Sequence, residues 1–394
     1  MSYLVLARKW RPQKFEDVVG QAHVTRTLAN AIRMDRVAHA FLFSGVRGVG
    51  KTSLARILAK SLNCERGPTV DPCGECASCR SIAASGAVDV IEIDGASNNS
   101  VDDIRELRET VPYRPAIGRF KLYIIDEVHM LSVSAFNALL KTLEEPPPHV
   151  KFIFATTEPH KIPTTILSRC QRYDFRRIPT AAIIERVAAI LESEGIRADD
   201  GALALIGREA EGSMRDALSL LDQVLAASEE DGLTAEGVAD LLGVVSRRVH
   251  YDLSAALLER NPRRALEIVR DVDRQGFDTT TFARGMLEHL RNLVVVGVCR
   301  GGPEPGAAVV DLPDGELADA ERQAGSVSTD TLHRLFKHFA EAYEEIARSS
   351  HPRILLETTL ARLADATELL SAAEIAARLE ALAAGRDPAP GSGG

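Results

Sequence analysis

A three-layer α/β domain followed by all-helical segments is the fold class this sequence predicts. In the first half, short apolar runs alternate with helical patterns, as in parallel sheets with crossover helices. After Pro179 the strand signal ends, and Ala/Leu/Glu/Arg-rich segments with a 3.6-residue period take over. The third observation is length: 394 residues and 42.7 kDa favour two or three domains with a sizeable core.

The strands are expected at 40–44, 88–93, 121–126 and 151–155. Between the last two, Phe136, Leu139, Leu140 and Leu143 fall on one face of a helix over 132–145, which Pro146-Pro147-Pro148 ends. Pro163 and Pro179 bracket the change of pattern, so the α/β domain is placed at 1–178 and a small helical domain at 179–242. Gly243 opens a larger helical domain at 243–367. Within a tail at 368–394, Ser371 and Glu374 form a capping box before Ile375, Leu379 and Leu382, and Gly385 closes that short helix. The end, Asp387 to Gly394, has linker composition, and no tandem repeat is present.

With 45% hydrophobic and 26% charged residues the chain reads as an ordinary globular protein, neither disordered nor fibrous. No stretch approaches the roughly 20 apolar residues that span a bilayer, and the first eleven residues lack a signal-peptide core, so a cytoplasmic protein without membrane contact is expected. The net charge of −9 is uneven: residues 1–180 carry 25 Lys/Arg against 19 Asp/Glu, so the remainder is strongly acidic. A nucleic-acid surface, if present, belongs to the first half.

Gly45-Val46-Arg47-Gly48-Val49-Gly50-Lys51-Thr52 fits G-x-x-x-x-G-K-[ST] between an apolar strand and a helix. Glycines there let backbone N–H groups turn inward around phosphates at a helix N-terminus. Lys51 meets the β- and γ-phosphates of ATP, and the Thr52 hydroxyl ligates Mg²⁺. The apolar strand at 121–125 ends in Asp126-Glu127, two acids that are costly there unless they serve a metal or a water. Asp126 is assigned to Mg²⁺ and Glu127 to the attacking water; an Asp-Glu pair taken alone reads equally as a helix cap. Cys64, Cys73, Cys76 and Cys79 fall within sixteen residues and predict one closed, structural Zn²⁺ site. A redox Cys-x-x-Cys pair and a knuckle that touches nucleic acid are the alternatives. Cys170 and Cys299 stand alone. Two further motifs, Ser168-Arg169-Cys170 and Gly212 to Leu218 with Arg215, are weak by themselves, since an arginine at a helix start usually faces water.

Taken together, Lys9-Trp-Arg-Pro12, Phe15-Glu-Asp-Val-Val-Gly-Gln21, the phosphate loop, the four-cysteine insert, Asp126-Glu-Val-His129, Leu139 to Glu145, Ala155-Thr-Thr157, Ser168-Arg-Cys170 and Gly212 to Leu218 resemble the gamma/tau subunit family of bacterial DNA polymerase III, the AAA+ motor of the replicative clamp loader. The likeness is strong over about 1–240 and rests on helical character beyond. It implies an AAA+ P-loop ATPase domain with a zinc-binding insert, a helical lid and an all-α collar that oligomerises. It further implies that Arg169 is an arginine finger offered to ATP on the adjacent subunit, Thr157 the sensor on the fourth strand and Arg215 the sensor of the lid. Ser53 extends the phosphate loop, and Ala7, Arg11, Val18 and Val19 line the adenine pocket. Arg105 and Lys141 become phosphate contacts to DNA. Asn98-Asn99-Ser100 departs from the pattern of some relatives, which are basic around 98–100, so the resemblance does not carry DNA contacts over to those positions.

The function so implied is ATP-driven opening of a sliding clamp and its loading on primer–template DNA, in assembly with copies of this chain and other loader subunits. Polymerase and helicase would be reached through a longer C-terminal tail, and the Gly-Ser-Gly-Gly ending is what a stop just before such a tail looks like. An AAA+ DNA helicase or branch-migration motor would share the phosphate loop, Asp126, Glu127 and both arginines, but not the cysteine insert or Ser-Arg-Cys. A nucleotide-binding scaffold that does not hydrolyse is the other reading, and intact Lys51, Thr52, Glu127 and Arg169 argue against it.

Overall fold

A computed structural model describes residues 4–227, 232–242, 247–300, 310, 312 and 314–365. The chain forms two compact units, 1–242 and 243–394. The tail helix expected after 368, with its Ser371–Glu374 box, lies outside the described residues.

The first unit opens with α1 (Leu6–Lys9), a 3-10 turn and α2 (Ala22–Arg33). Then β1 (Ala40–Ser44) leads into α3 (Lys51–Asn63), α4 (Ala77–Ala83) follows, and β2 (Val90–Asp94) leads into α5 (Val101–Thr110). β3 (Lys121–Asp126), α6 (Val133–Glu144), β4 (Val150–Thr156), α7 (Thr164–Leu167) and β5 (Gln171–Asp174) complete the sheet region. Four helices close the unit: α8 (Thr180–Glu194), α9 (Asp200–Glu209), α10 (Met214–Ala227) and α11 (Ala235–Leu242).

All five strands are parallel, in the order β2-β3-β4-β1-β5. Because successive side chains in a strand point to opposite faces, each strand feeds two cores. Phe41, Phe43, Leu122, Ile124 and Ile153 pack on the α2/α3 side. Ala40, Leu42, Tyr123, Ile125, Phe152 and Phe154 pack on the side of α5, α6 and α7. This double burial explains the near-continuous apolar runs. A third core, with Ile183, Val187, Ile206, Leu218 and Leu221, holds α8 to α11 together and takes in Leu6 and Ile178.

Two sequence expectations are corrected. The fifth strand was not anticipated, because Gln171-Arg-Tyr-Asp174 is polar and only Tyr173 is buried, as befits an edge strand. The second strand starts at Val90 rather than 88: Val88 is exposed in a turn, and Asp89 there takes the backbone N–H groups of Ala116, Ile117 and Gly118 at 2.6, 2.7 and 2.6 Å.

The second unit is helical throughout its described residues: α12 (Arg247–Leu258), α13 (Pro262–Arg274), α14 (Thr279–Cys299), α15 (Asp314–Gly325), α16 (Thr329–Arg348) and α17 (Pro352–Asp365). Its core gathers Phe282, Met286, Leu290, Leu293, Phe339, Ile346, Leu356 and Leu360. Asp278 and Ser328 cap α14 and α16 through the backbone N–H of Thr281 and Thr331.

Candidate nucleotide and metal sites

A cleft of about 660 Å³ lies at the carboxyl ends of the strands in the first unit, where open parallel sheets bind ligands. Its floor is the loop from β1 to α3. Gly45, Gly48 and Gly50 have φ of 152°, 78° and 100°, values that exclude ordinary side chains. The requirement is steric as well: a Cβ on Gly48 would stand 1.8 Å from the Ser213 hydroxyl, and one on Gly45 2.6 Å from the Phe175 carbonyl. The close approach of Ser213 brings the start of α10 onto the loop, and the Arg215 backbone N–H donates to the Gly48 carbonyl at 3.3 Å.

Lys51 is buried in the first turn of α3, its Nζ donating to the carbonyls of Gly45 and Val46 at 2.8 and 2.9 Å. Burial pulls its pKa down, and the Glu127 and Asp126 carboxylates oppose that shift. The Thr52 hydroxyl donates to Asp126 Oδ2 at 2.6 Å. Two oxygens on one edge of an octahedral Mg²⁺ sphere stand about 2.9 Å apart, so this pair fits that ion with little movement. Glu127 holds φ at 44°, a left-handed conformation that a non-glycine residue adopts at a cost of roughly 1 kcal/mol. Its Oε2 accepts from the Thr157 hydroxyl at 3.1 Å.

Of the residues expected in this site, Ala7, Arg11, Val18, Val19, Arg47, Gly48, Val49, Gly50, Lys51, Thr52, Ser53, Asp126, Glu127 and Arg215 line the cleft. Gly45 and Val46 are not part of its lining, but their carbonyls accept from Lys51. Thr157 is off the wall but touches Glu127. Arg169 is elsewhere, between α7 and β5, where it donates to the Thr165 carbonyl at 2.6 Å and pairs with Glu144. Arg105 lies on α5 in an exposed ion pair with Asp102, and Lys141 is exposed on α6; neither reaches the cleft.

The wall also contains residues that sequence reasoning missed, among them Arg8, Trp10, Asp94, Arg186 and Met214. Asp94 ends β2 in register with Asp126, so the signal that singled out Asp126 was present there too. Arg8 and Trp10 are placed by tertiary contacts: the Leu6 N–H donates to Asp222 at 2.8 Å and the Trp10 indole to Glu194 at 2.8 Å, tying α1 to α10 and α8. Arg11 is pulled below the ordinary arginine range by burial, then by repulsion from Arg56, Arg215 and Arg8, with Glu92 opposing. Such a concentration of cations suits a polyphosphate.

The Sγ atoms of Cys64, Cys73, Cys76 and Cys79 lie within 4.8 Å of one another. Four thiolates around Zn²⁺ at ~2.3 Å stand about 3.8 Å apart, so modest contraction closes the site on one ion. Backbone N–H groups of Cys73, Cys76 and Cys79 point at the sulfurs of Cys64, Cys73 and Cys76 at 3.5, 3.3 and 3.4 Å, as thiolate ligands require. The N–H groups of Cys76 and Glu75 hold the Cys73 thiol down at about 6, whereas burial pushes Cys79 up. Cys64 caps the C-terminus of α3, so the cluster is built on the helix that begins at the phosphate loop.

A phosphate loop, an Asp-Glu pair at the carboxyl end of β3, a five-stranded parallel sheet and a helical lid that lays Arg215 on the cleft define an AAA+ P-loop ATPase fold. Residues 20–179 match the family described as DNA polymerase III, delta subunit, 182–230 the DNA polymerase III clamp loader subunit ATPase lid domain, and 233–379 domain III of DNA polymerase III subunits gamma and tau. The chain is 44% identical to DNA polymerase III subunit tau of Bacillus subtilis over 95% of its own length and 65% of that protein. Against the Escherichia coli tau subunit the identity is 48%, covering 81% of this chain and 49% of the other. Against the gamma subunit of Buchnera aphidicola it is 43%, covering 74% and 81%. The chain therefore belongs to the gamma and tau subunit family of DNA polymerase III. It spans about half to two thirds of the length of these tau subunits. Among solved structures, the RuvB Holliday junction branch migration motor of Thermotoga maritima is similar at 17% identity and a TM-score of 0.47, over 80% of this chain and 90% of that one. No helix among the described residues is long and apolar enough to cross a membrane.

Proposed function

We propose that this chain is an ATP-hydrolysing clamp-loader subunit that works in the bacterial cytoplasm. In that reading 1–178 is the ATPase domain, 179–242 the lid and 243–367 an oligomerising collar. Assembled with copies of itself and related subunits, the chain opens a ring-shaped clamp and loads it on primer–template DNA. The observation that carries the reading is a division of labour. Lys51, Thr52, Asp126, Glu127 and Arg215 converge on one cleft, while Arg169 stands outside it, partly exposed and paired with Glu144.

Lys51 would exchange the two loop carbonyls for phosphate oxygens, and the loop N–H groups with Arg215 would hold the remaining charge. Thr52 and Asp126 would hold Mg²⁺, which supplies charge neutralisation on the phosphates. Glu127, anchored through Oε2, keeps Oε1 to orient a water and accept its proton. Arg169 of a neighbour would stabilise charge that develops only in the transition state, so hydrolysis waits on correct assembly. Arg105 and Lys141, exposed in the basic half, would contact DNA phosphates.

Subunit mixing tests the reading. Arg169→Ala should bind ATP normally yet lose roughly 10³-fold in hydrolysis, and Lys51→Ala should lose binding. Mixed assemblies contain interfaces that join an intact loop to an intact finger, so they should regain clamp- and primed-DNA-stimulated turnover. Absence of rescue in assemblies shown to exchange subunits would remove the intersubunit finger.

A further inference from the structure

Glu127 is a carboxylate on a strained backbone, and its useful oxygen must be aimed. The residues around it form a chain of contacts that the nucleotide does not need. His129, on the 3-10 turn after β3, is nearly enclosed. Its Nδ1 lies 3.4 Å from Glu127 Oε2 and 3.1 Å from the Thr156 hydroxyl. Its Nε2 lies 3.1 Å from Glu158 Oε2. Glu158 is held in turn, its N–H donating to the Thr156 hydroxyl at 3.0 Å and its carboxylate bound by Lys161 at 2.8 Å.

The imidazole thus stands between two carboxylates, one of which faces the cleft. The Thr157 hydroxyl donates to Oε2 of Glu127, and His129 Nδ1, hydrogen-bonded to Thr156, stands 3.4 Å from the same oxygen, so both neighbours fall on one side of the carboxylate and Oε1 stays available. This is the geometry of a base with an orienting group behind it. Thr157 and Glu158 both follow β4, so one strand end supplies both outer supports of the pair.

We infer that His129 is a positioning residue for Glu127, aimed by Glu158 on its far side. His129 does not touch nucleotide; it fixes the carboxylate that does. The inference rests on hydrolysis by this cleft, and the test separates the two. Steady-state ATP hydrolysis of the assembled loader with clamp and primed DNA, and the affinity for a fluorescent ATP analogue, are measured with the full chain as wild type, E127Q, H129A, H129N, E158Q and H129A/E158Q.

Loss of an orienting partner of this kind lowers turnover about 10–100-fold, and H129A should do so with analogue affinity and Tm unchanged. H129N, whose amide can place an N–H where Nδ1 stood, should recover a substantial part of the loss. E158Q alone should lower kcat by a smaller factor and add nothing in the H129A background, because residues acting through one contact are not additive. Turnover by H129A within two-fold of wild type, an equal loss of affinity, or additivity of the two changes would each overturn the assignment. Wild-type turnover no higher than that of E127Q would instead bring down hydrolysis itself, and this inference with it.

Discussion

Each unit buries polar side chains, and the two treat them oppositely. In the second unit His250, Ser254 and His289 are buried, and each has a hydrogen-bond partner. His289 Nε2 meets the Ser254 hydroxyl at 2.8 Å, that hydroxyl meets Gln323 Oε1 at 2.7 Å, and the Gln323 amide donates to the Tyr251 carbonyl at 2.8 Å. His250 rests on the Phe282 ring with Nε2 3.3 Å from the Phe282 carbonyl. The network is neutral and closed. In the cleft of the first unit, Lys51 folds back on its own loop and Arg11 sits among other arginines. Satisfied neutral networks specify a core, whereas a cleft that keeps Lys51, Arg11, Asp126 and Glu127 together, partly desolvated, concentrates ionisable groups and shifts the titration of Lys51 and Arg11, as functional sites do. Burial alone does not separate function from structure; the sign and completion of the network do.

Charge removal in the cleft should break that contrast most sharply. Lys51→Ala should abolish ATP binding, because a ground-state phosphate contact is lost. Glu127→Gln should keep binding and lose hydrolysis by roughly 10³-fold, because only the water is affected. Equilibrium binding with single-turnover kinetics checks both, and full turnover by Glu127→Gln would contradict the role given to that residue. A second effect concerns the cysteines. Metal analysis should find one Zn²⁺ per chain, and chelation should lower the Tm of the first unit by several degrees, on the order of 3 kcal/mol, with nucleotide affinity retained at lower temperature. Disulfides in place of zinc would refute this.

The closed network supplies a pH test of intermediate size. Burial lowers His250 to about 4 and His289 to about 3, so the folded state holds both neutral while the unfolded chain titrates near 6.5. Stability from these groups is therefore complete above about pH 6.5 and falls as pH drops towards 4 and then 3, by roughly 3 kcal/mol for His250. Thermal unfolding at pH 7 and pH 5 should show the loss, and His250→Asn with His289→Asn should flatten it. The smallest effect belongs to Glu144→Gln. It releases Arg169 from an exposed ion pair, so Tm should move by less than about 1 kcal/mol allows.

What could be read from the sequence divides along the same line as the chemistry. The phosphate loop, Asp126-Glu127 and the cysteine set were legible because their geometry is local: a few consecutive residues carry both the turn and the ligands. The strands at 40–44 and 121–126 were legible because burial on both faces leaves long apolar runs. β5 was not, because an edge strand with one buried residue looks like a loop. Arg8, Trp10 and Arg186 reach the cleft only after α1 docks on α8 and α10, contacts between residues 184 and 216 positions apart that no periodicity encodes. His129 lies inside a motif already in view, but its partners are Thr156, at the end of β4, and Glu158, in the turn after it.

One helix carries both chemical centres. α3 begins at Lys51 on the phosphate loop and ends at Asn63, with Cys64 as its cap, a rod about 20 Å long by its rise per residue. Helix ends normally fray, and amide hydrogens there exchange with solvent long before those of the middle. With nucleotide on the loop at one end and Zn²⁺ in the cysteine cluster at the other, this helix would have no free end. Its amides should exchange only when a large part of the first unit opens, so the exchange rate of this one segment reads out both occupancies at once.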